Sequence, residues 1–306
     1  MTTEIIIALL AAAVQSGTPI LYATLGEIVT EKSGVLNLGV EGVMILGALS
    51  GFVVAKVSGS PLAGLAAAGL VGSLAASIHG LVCLLFLGNQ VVSGLALTIL
   101  GTGLANYLGT AYVGLSAPGF EPLPIPFLSD LPWLGEIFFR HDPLVYLSYC
   151  LPPMIWLFFA RTRFGLGLRA VGEYPAAATA AGLSVLGYRW FGILVGGALM
   201  GLGGAYLSLA YTHLWTSNLT GGRGWIAVAL VIFAFWRPGR AVAGAYLFGG
   251  VMALQLRLQA SGTQVPSSLL LMLPYALTVI VLVFSSWKKG RSEEPGALGV
   301  NVEPVD

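Results

Sequence analysis

The sequence predicts an all-α polytopic membrane protein, and three observations carry that reading. Of its 306 residues, 57% are apolar and only 9% are charged, against about 25% charge in a soluble domain. The apolar residues gather in runs long enough to cross a bilayer, which takes about 20 of them in a helix. Glycine, at 42 residues, is about twice as frequent as usual. In membrane helices its missing side chain lets backbones approach closely. The formal net charge of +1 gives no footing for nucleic acid. Cys83 and Cys150 lie in apolar runs and suggest no disulfide framework. The first residues, MTTE, put no basic stretch ahead of the first apolar run. That run is therefore read as a retained span rather than a cleaved leader.

Taken in order, the runs give about nine spans, with eight and ten as the neighbouring counts. They are 4–25, 35–56, 61–87, 90–112, 143–160, 190–211, 218–236, 240–258 and 266–286. Residues 1–287 thus form one transmembrane domain. The connection 113–142 differs from the rest. It carries Pro118, Pro122, Pro124, Pro126 and Pro132 with Glu121, Asp130, Glu136, Arg140, His141 and Asp142, and reads as an external loop with a short interfacial helix around Trp133 to Phe139. The tail 288–306 is polar and is expected to be disordered. A cytoplasmic C-terminus places Lys32, Arg161, Arg163, Arg169, Arg189, Arg237, Arg240, Lys288, Lys289 and Arg291 inside. Lys56, Arg140, Arg223 and Arg257 then fall outside. That distribution follows the positive-inside rule.

The stretch 161–189 is the one long polar island, and this orientation makes it cytoplasmic. Pro175 suits the first helical position, since it lacks the N–H that would be orphaned there. Ala176, Ala177, Ala178, Ala180 and Ala181 favour helix strongly, and Gly182 can take the left-handed conformation that closes one. The expected result is a helix of about two turns, roughly 10 Å long.

A short internal repeat links the two ends of the chain. Leu36-Asn37-Leu38-Gly39-Val40-Glu41-Gly42 precedes one apolar run, and Ser217-Asn218-Leu219-Thr220-Gly221-Gly222-Arg223-Gly224 precedes another. In this topology the first run climbs from inside and the second descends from outside. Two halves of inverted topology then flank the span 143–160, an arrangement that points to a solute path near the midplane.

The span after Asn89 carries Gln90, Gly94, Thr98, Thr102 and Asn106 at intervals of four, with Ser93 beside them. They form a stripe on one slowly twisting helix face. Such neutral groups line a path for an uncharged polar solute, or they bridge neighbouring helices; both uses are common. Glu41 is the acid closest to a membrane interior and shares a face with Asn37 at i, i+4 spacing, while Glu27 and Glu31 are placed nearer the water. A carboxylate at depth is functional unless it sits at a helix start, where the helix dipole stabilises it. Arg223 stands at the matching place of the second repeat and is its candidate partner. Gly47-x-x-x-Gly51 and Gly197-x-x-x-Gly201 read as close-packing motifs.

Enzyme chemistry finds little support. His79, His141 and His213 are far apart, without metal-binding spacing, and no phosphate-binding loop of the GxxxxGK type is present. His79, inside a span, is read as hydrogen-bonded between helices rather than as a proton relay.

Four stretches together carry a resemblance: Gly26 to Ala48 (GEIVTEKSGVLNLGVEGVMILGA), Gly88 to Leu108 (GNQVVSGLALTILGTGLANYL), Arg161 to Arg189 (RTRFGLGLRAVGEYPAAATAAGLSVLGYR) and Thr216 to Gly239 (TSNLTGGRGWIAVALVIFAFWRPG). In this order they resemble permease subunits of ABC importers, in the simple-sugar and nucleoside uptake group, with branched-chain amino acid permeases as more distant relatives. The resemblance spans residues 20–285. It implies a fold like that of the vitamin B12 and sugar-type importers. It implies a solute path, for which Asn37, Glu41, Gln90, Ser93, Thr98, Thr102, Asn106, Asn218 and Arg223 are the candidates, and a coupling region on Arg169, Gly172, Glu173, Pro175, Ala177 and Gly182. Tyr174 stands where the family often has Asn, which weakens the helix cap but leaves Pro175 in place.

The same resemblance implies a second, similar permease as heterodimer partner, an ATPase chain with tandem nucleotide-binding domains, and an external binding lipoprotein or periplasmic protein. It implies no cofactor or metal on this chain, since ATP and Mg belong to the ATPase, and no catalysis by the chain itself. The expected location is the bacterial plasma (inner) membrane. The GVxNLGxEG form around Asn37 to Gly42 looks more like nucleoside permeases than ribose ones. The other reading is a stand-alone secondary transporter of a small polar solute, for which Glu41 and His79 are thin support.

Overall fold

The computed structural model describes residues 2–287 and 293–302. Its long helices are α1 (Thr2–Lys32), α2 (Val40–Ser58), α3 (Pro61–Gly80, prolonged by a wider turn to Leu85) and α4 (Gln90–Gly109, prolonged to Tyr112). Next come the short α5 (Leu134–Phe138), then α6 (Pro143–Arg161), α7 (Arg163–Glu173) and α8 (Pro175–Ala180). The second half holds α9 (Val185–Tyr206, prolonged to Tyr211), α10 (Arg223–Phe233), α11 (Pro238–Ala260), α12 (Ser267–Leu271) and α13 (Leu273–Trp287). Among the described residues, seven helices are long and apolar enough to cross a membrane, while Arg223–Phe233 and Ser267–Val281 are shorter apolar helices.

The boundaries depart from the sequence reading in four places. The first helix runs on to Lys32, so Glu27 and Glu31 are buried in the bundle rather than near water. The second begins only at Val40. The seventh expected span, 218–236, is helical from Arg223 onward, because Asn218, Gly221 and Gly222 all have positive φ and interrupt it. The ninth is split into α12 and α13 at Met272, just ahead of Pro274. The short interfacial helix lies where expected, at Leu134–Phe138. Asp142 caps the next helix, its Oδ1 accepting from Leu144 N at 2.9 Å and Val145 N at 3.2 Å. Burial pushes its carboxyl above the ordinary carboxylate range and holds the imidazole of His141 below its usual value.

Helices α1 and α9 pack against each other at the centre and run antiparallel. Ser33 meets Gly192, Gly26 meets Gly196, and Pro19 and Tyr22 meet Gly203. Around this pair, α3 packs along α9 as α11 packs along α1; α2 contacts α9 as α10 contacts α1; α4 lies on α2 as α13 lies on α10. This is the pairing that an inverted repeat requires. Close approach depends on glycine. A Cβ placed on Gly47 would sit 2.5 Å from Gly201 Cα, so backbones touch where side chains would otherwise separate them. Both small-residue motifs are therefore packing surfaces.

Residues 293–302, expected to belong to a disordered tail, are instead an ordered strap. Its N–H groups donate to the carbonyls of Gly34 and Gly172, its Val300 carbonyl accepts from Arg189, and its Asn301 side chain accepts from Gln90. Helix ends leave carbonyls unpaired, and the strap supplies donors to them. Residues 288–292 and 303–306 lie outside the described residues.

Gly47→Leu is expected to destabilise the bundle by about 1–3 kcal/mol through overpacking. Gly103→Leu, at a position with no atom within 4 Å, is expected to change nothing measurable. Thermal unfolding of both variants in detergent, followed by tryptophan fluorescence, checks the contrast.

Candidate functional site

Each half of the bundle contains one stretch that leaves helical geometry amid apolar surroundings, and the two stretches meet. Away from water, backbone N–H and C=O groups outside a helix need partners from elsewhere. In the first stretch, 33–39, side chains provide them. Leu36 N–H donates to Gln90 Oε1 at 2.8 Å, and Asn37 N–H to Glu27 Oε1 at 3.1 Å. The carbonyl of Leu36 accepts from His79 Nε2 at 3.0 Å, and that of Leu38 from Thr98 Oγ1 at 2.8 Å. Ser93 Oγ lies 3.0 Å from His79 Nδ1 and fixes the ring. Asn37 Oδ1 accepts from Gly39 N–H at 2.8 Å, which closes the turn into α2.

The second stretch, 212–222, is held in the same manner from the other end of α4. Asn218 N–H donates to Asn106 Oδ1 at 3.0 Å, and Asn106 Nδ2 donates to Asn218 Oδ1 at 2.8 Å. The stripe on α4 is thus a rail gripping both non-helical stretches. Gln90, Ser93 and Thr98 serve the first and Asn106 the second, with Thr102 half-buried between them. For Gln90, Ser93 and Thr98 the bridging use is the observed one. Asn218 is exposed, and Asn106 and Thr102 are partly so, leaving neutral donors and acceptors open to a polar solute.

Glu41 joins the two stretches. It lies in the first turn of α2 and is buried. Its Oε1 accepts from Thr220 Oγ1 at 2.5 Å and Gly222 N–H at 2.9 Å, and its Oε2 from Gly224 N–H at 2.6 Å. Helix α10 begins at Arg223, so one carboxylate stands at the starts of two helices. Each helix start carries a partial positive charge and unpaired N–H groups. The carboxylate answers both, and its burial is explained by the helix-start reading. Gly224 is glycine because a Cβ there would lie 2.5 Å from the Glu41 backbone. Arg223 is not the partner of Glu41: its Nη1 donates to the carbonyls of Thr220 at 3.0 Å and Leu219 at 3.4 Å. Among the described residues no ion pair joins the two.

Depth follows from the helix geometry. Thr98 is eight residues into α4 from Gln90, or about 12 Å, and Leu38, bonded to it, stands at the start of α2. Helix α10 has 11 residues, about 16 Å, roughly half a bilayer core. The two helix starts therefore face each other near mid-depth. His79 was expected to bond between helices, and it does, joining α3 to Ser93 of α4 and to the Leu36 carbonyl; Thr220, Gly222 and Glu27 were not among the expected site residues. Only the repeat around Asn218 to Gly224 hinted at the first two.

At the Lys32 end of the bundle, α7 and α8 form an elbow. Thr162 caps α7, its Oγ1 accepting from Gly165 N–H at 2.9 Å. This helix was not expected; its apolar face, with Leu168 and Val171 buried, is visible in the sequence in retrospect. Helix α8 matches the expectation. Tyr174 provides no side-chain cap, Pro175 opens the helix, and Gly182 closes it with φ +79°. Leu183 N–H donates back to Ala178 O at 3.0 Å, a Schellman closure. Gly172 and Pro175 are buried, whereas Arg169, Glu173, Ala177 and Gly182 are exposed beside Leu166 and Tyr174. A Cβ on Gly172 would lie 3.0 Å from Gly34 N and closer still to Lys32 O, so Gly172 fastens α7 to the end of α1.

A helical bundle in which, among the described residues, seven helices are long and apolar enough to cross a membrane is the frame of a polytopic membrane protein. The chain belongs to the family described as branched-chain amino acid transport system / permease component, whose model matches residues 9–282. It is 46% identical over 256 residues to a putative glucose ABC transporter permease of Haloferax volcanii, covering 82% of this chain and 78% of that protein. It is 33% identical to a nucleoside ABC transporter permease of Lactococcus lactis, over 93% of both chains. It is 32% identical to a guanosine ABC transporter permease of Bacillus subtilis, over 92% of both.

Glu41→Ala is expected to leave Thr220, Gly222 and Gly224 without their acceptor. An orphaned buried donor costs about 1–3 kcal/mol, so this variant should unfold well below the parent. Arg223→Ala should retain the clasp and unfold closer to the parent. Thermal melts of the two variants check the ranking.

Proposed function

We propose that this chain is the membrane subunit of an ATP-driven importer and forms the path for a nucleoside or a simple sugar. The observation that carries this reading is the elbow α7–α8. It is a pair of short helices with Arg169, Glu173 and Ala177, and Gly182 after them, exposed, backed by Gly172 against the end of α1. Such an elbow suits a push from a docked ATPase, and the exposed Leu166 and Tyr174 add apolar surface for docking. Gly172 and Pro175 act in this scheme by placing the elbow rather than by touching the partner.

The relatives named for nucleoside, guanosine and glucose transport support the substrate class. The open side of Asn106, Thr102 and Asn218 fits an uncharged polar solute. Asn37, Glu41, Gln90, Ser93, Thr98 and Arg223 hold the two interrupted segments in position beside that path. The remaining parts of the assembly are a second similar permease, an ATPase with tandem nucleotide-binding domains that carries ATP and Mg, and an external binding protein. The fold is that of the vitamin B12 and sugar-type importers with nine crossings, counting the two shorter helices. Lys32, Arg189 and Arg237 converge at one end of the bundle with the strap. This supports a cytoplasmic C-terminus in the plasma membrane under the positive-inside rule.

Replacing Arg169 and Glu173 together by alanine should lower ATP-driven uptake about tenfold, a coupling loss of ordinary size, while solute affinity of the binding protein stays unchanged. Uptake in proteoliposomes and calorimetry on the binding protein measure the two. Unchanged uptake would remove the elbow from the interface. Thermal shifts of the binding protein with nucleosides, pentoses and hexoses decide the solute. Uptake by this chain alone under an ion gradient would favour the secondary-transporter reading instead.

A further inference from the structure

The strap 293–302 touches the ends of several helices at the Lys32 end of the bundle. Its first anchor is Glu293, whose carboxylate pairs with Lys32 Nζ at 3.3 Å and Arg237 Nε at 2.7 Å. Next, Gly296 N–H donates to Glu173 Oε2 at 3.4 Å and Ala297 N–H to Gly172 O at 2.9 Å, both at the last turn of α7. Gly299 N–H donates to Gly34 O at 3.3 Å, at the start of the first non-helical stretch. Arg189, buried near the start of α9, donates from Nη1 to Val300 O at 2.9 Å. Asn301 ends the run. Its Oδ1 accepts from Gln90 Nε2 at 3.0 Å, and its Nδ2 donates to the carbonyls of Leu87 at 2.6 Å and Gly88 at 3.0 Å.

Gln90 makes this chain of bonds consequential. One end of its amide binds Asn301 and the other binds Leu36 N–H. A displacement at Gly172 therefore reaches Leu36 by two routes: directly through Gly34, and through the strap by way of Asn301 and Gln90. Leu36 lies five residues before Glu41, the residue joining the two helix starts. Several of these bonds sit at helix ends, where backbone groups lack partners within the helix, and two of the side chains they engage, Gln90 and Arg189, are buried, so the strap ties the elements it binds to one another.

We propose that the strap is a positioning element of transport, carrying movement of the α7–α8 elbow to the segment 33–39 and thus to the Glu41 clasp. This rests on the proposed coupling role of the elbow. The strap's residues contact neither the solute side of Asn218 nor the exposed face of α8, so their effect is on coupling rather than on binding.

Cys83 provides a reporter that needs no ATPase. It is buried beside His79, with Sγ 3.5 Å from Nδ1, under the segment that His79 holds. In a Cys150→Ser background, deletion of 293–306 should raise the rate of Cys83 labelling by N-ethylmaleimide about tenfold, as expected when a local opening becomes easier. In the complete assembly in proteoliposomes, the same deletion should keep ATP hydrolysis and lower uptake per ATP about tenfold. If the deleted chain does not fold, Asn301→Ala carries both measurements, because it cuts only the link to Gln90, Leu87 and Gly88. An unchanged ratio of uptake to hydrolysis would overturn the proposal, and so would faster labelling with full coupling, which belongs to a merely stabilising tail. If the parent assembly shows no ATP-driven uptake at all, the proposed function fails. An unchanged Cys83 labelling rate would then overturn the strap as well.

Discussion

The centre of this protein depends on pairing backbone groups where the chain is not helical. Two segments, 33–39 and 212–222, break off inside the bundle, and each would be prohibitively costly in hydrocarbon if left alone. The solution is a set of side chains reserved for the backbone: Glu27, His79, Gln90 and Thr98 for one segment, Asn106 and Glu41 for the other.

The same constraint explains why the interrupted helices start at mid-depth. A helix beginning in the membrane presents N–H groups that need an acceptor, and a carboxylate is the strongest available. Glu41 serves α10 across the gap while lying in the first turn of α2. This residue thereby adds a polar link between the two halves beside their antiparallel contact, which the glycines along α1, α2 and α9 allow to be tight.

Much of the architecture was legible in the sequence. Hydropathy located the spans, proline and alanine located α8, and Gly182 marked its end, because local propensity and capping act over a few residues. The repeat at Asn37 and Asn218 pointed to the two segments that matter. The stripe on α4 was visible as a pattern, but its use was not. Spacing puts Gln90 and Asn106 on one face and is silent about what lies opposite.

The sequence by itself determined the order of the apolar helices, the polar elbow between them, and the class of chemistry that four neutral side chains on one face can support; it expected nine spans where, among the described residues, seven helices are long and apolar enough to cross a membrane. Only the tertiary structure decided that Glu41 binds the start of α10 rather than Arg223, that Glu27 and Glu31 are interior, and that residues 293–302 are a strap instead of a loose tail. Each of these rests on partners far apart in the chain: Glu41 with Gly224, Gly172 with Ala297, Gln90 with Asn301. A hydrogen bond's partner depends on where helices come to rest. A composition that looks too polar to pack does pack when it meets unpaired carbonyls at Gly34, Leu87, Gly88 and Gly172 together with charged side chains at the same end.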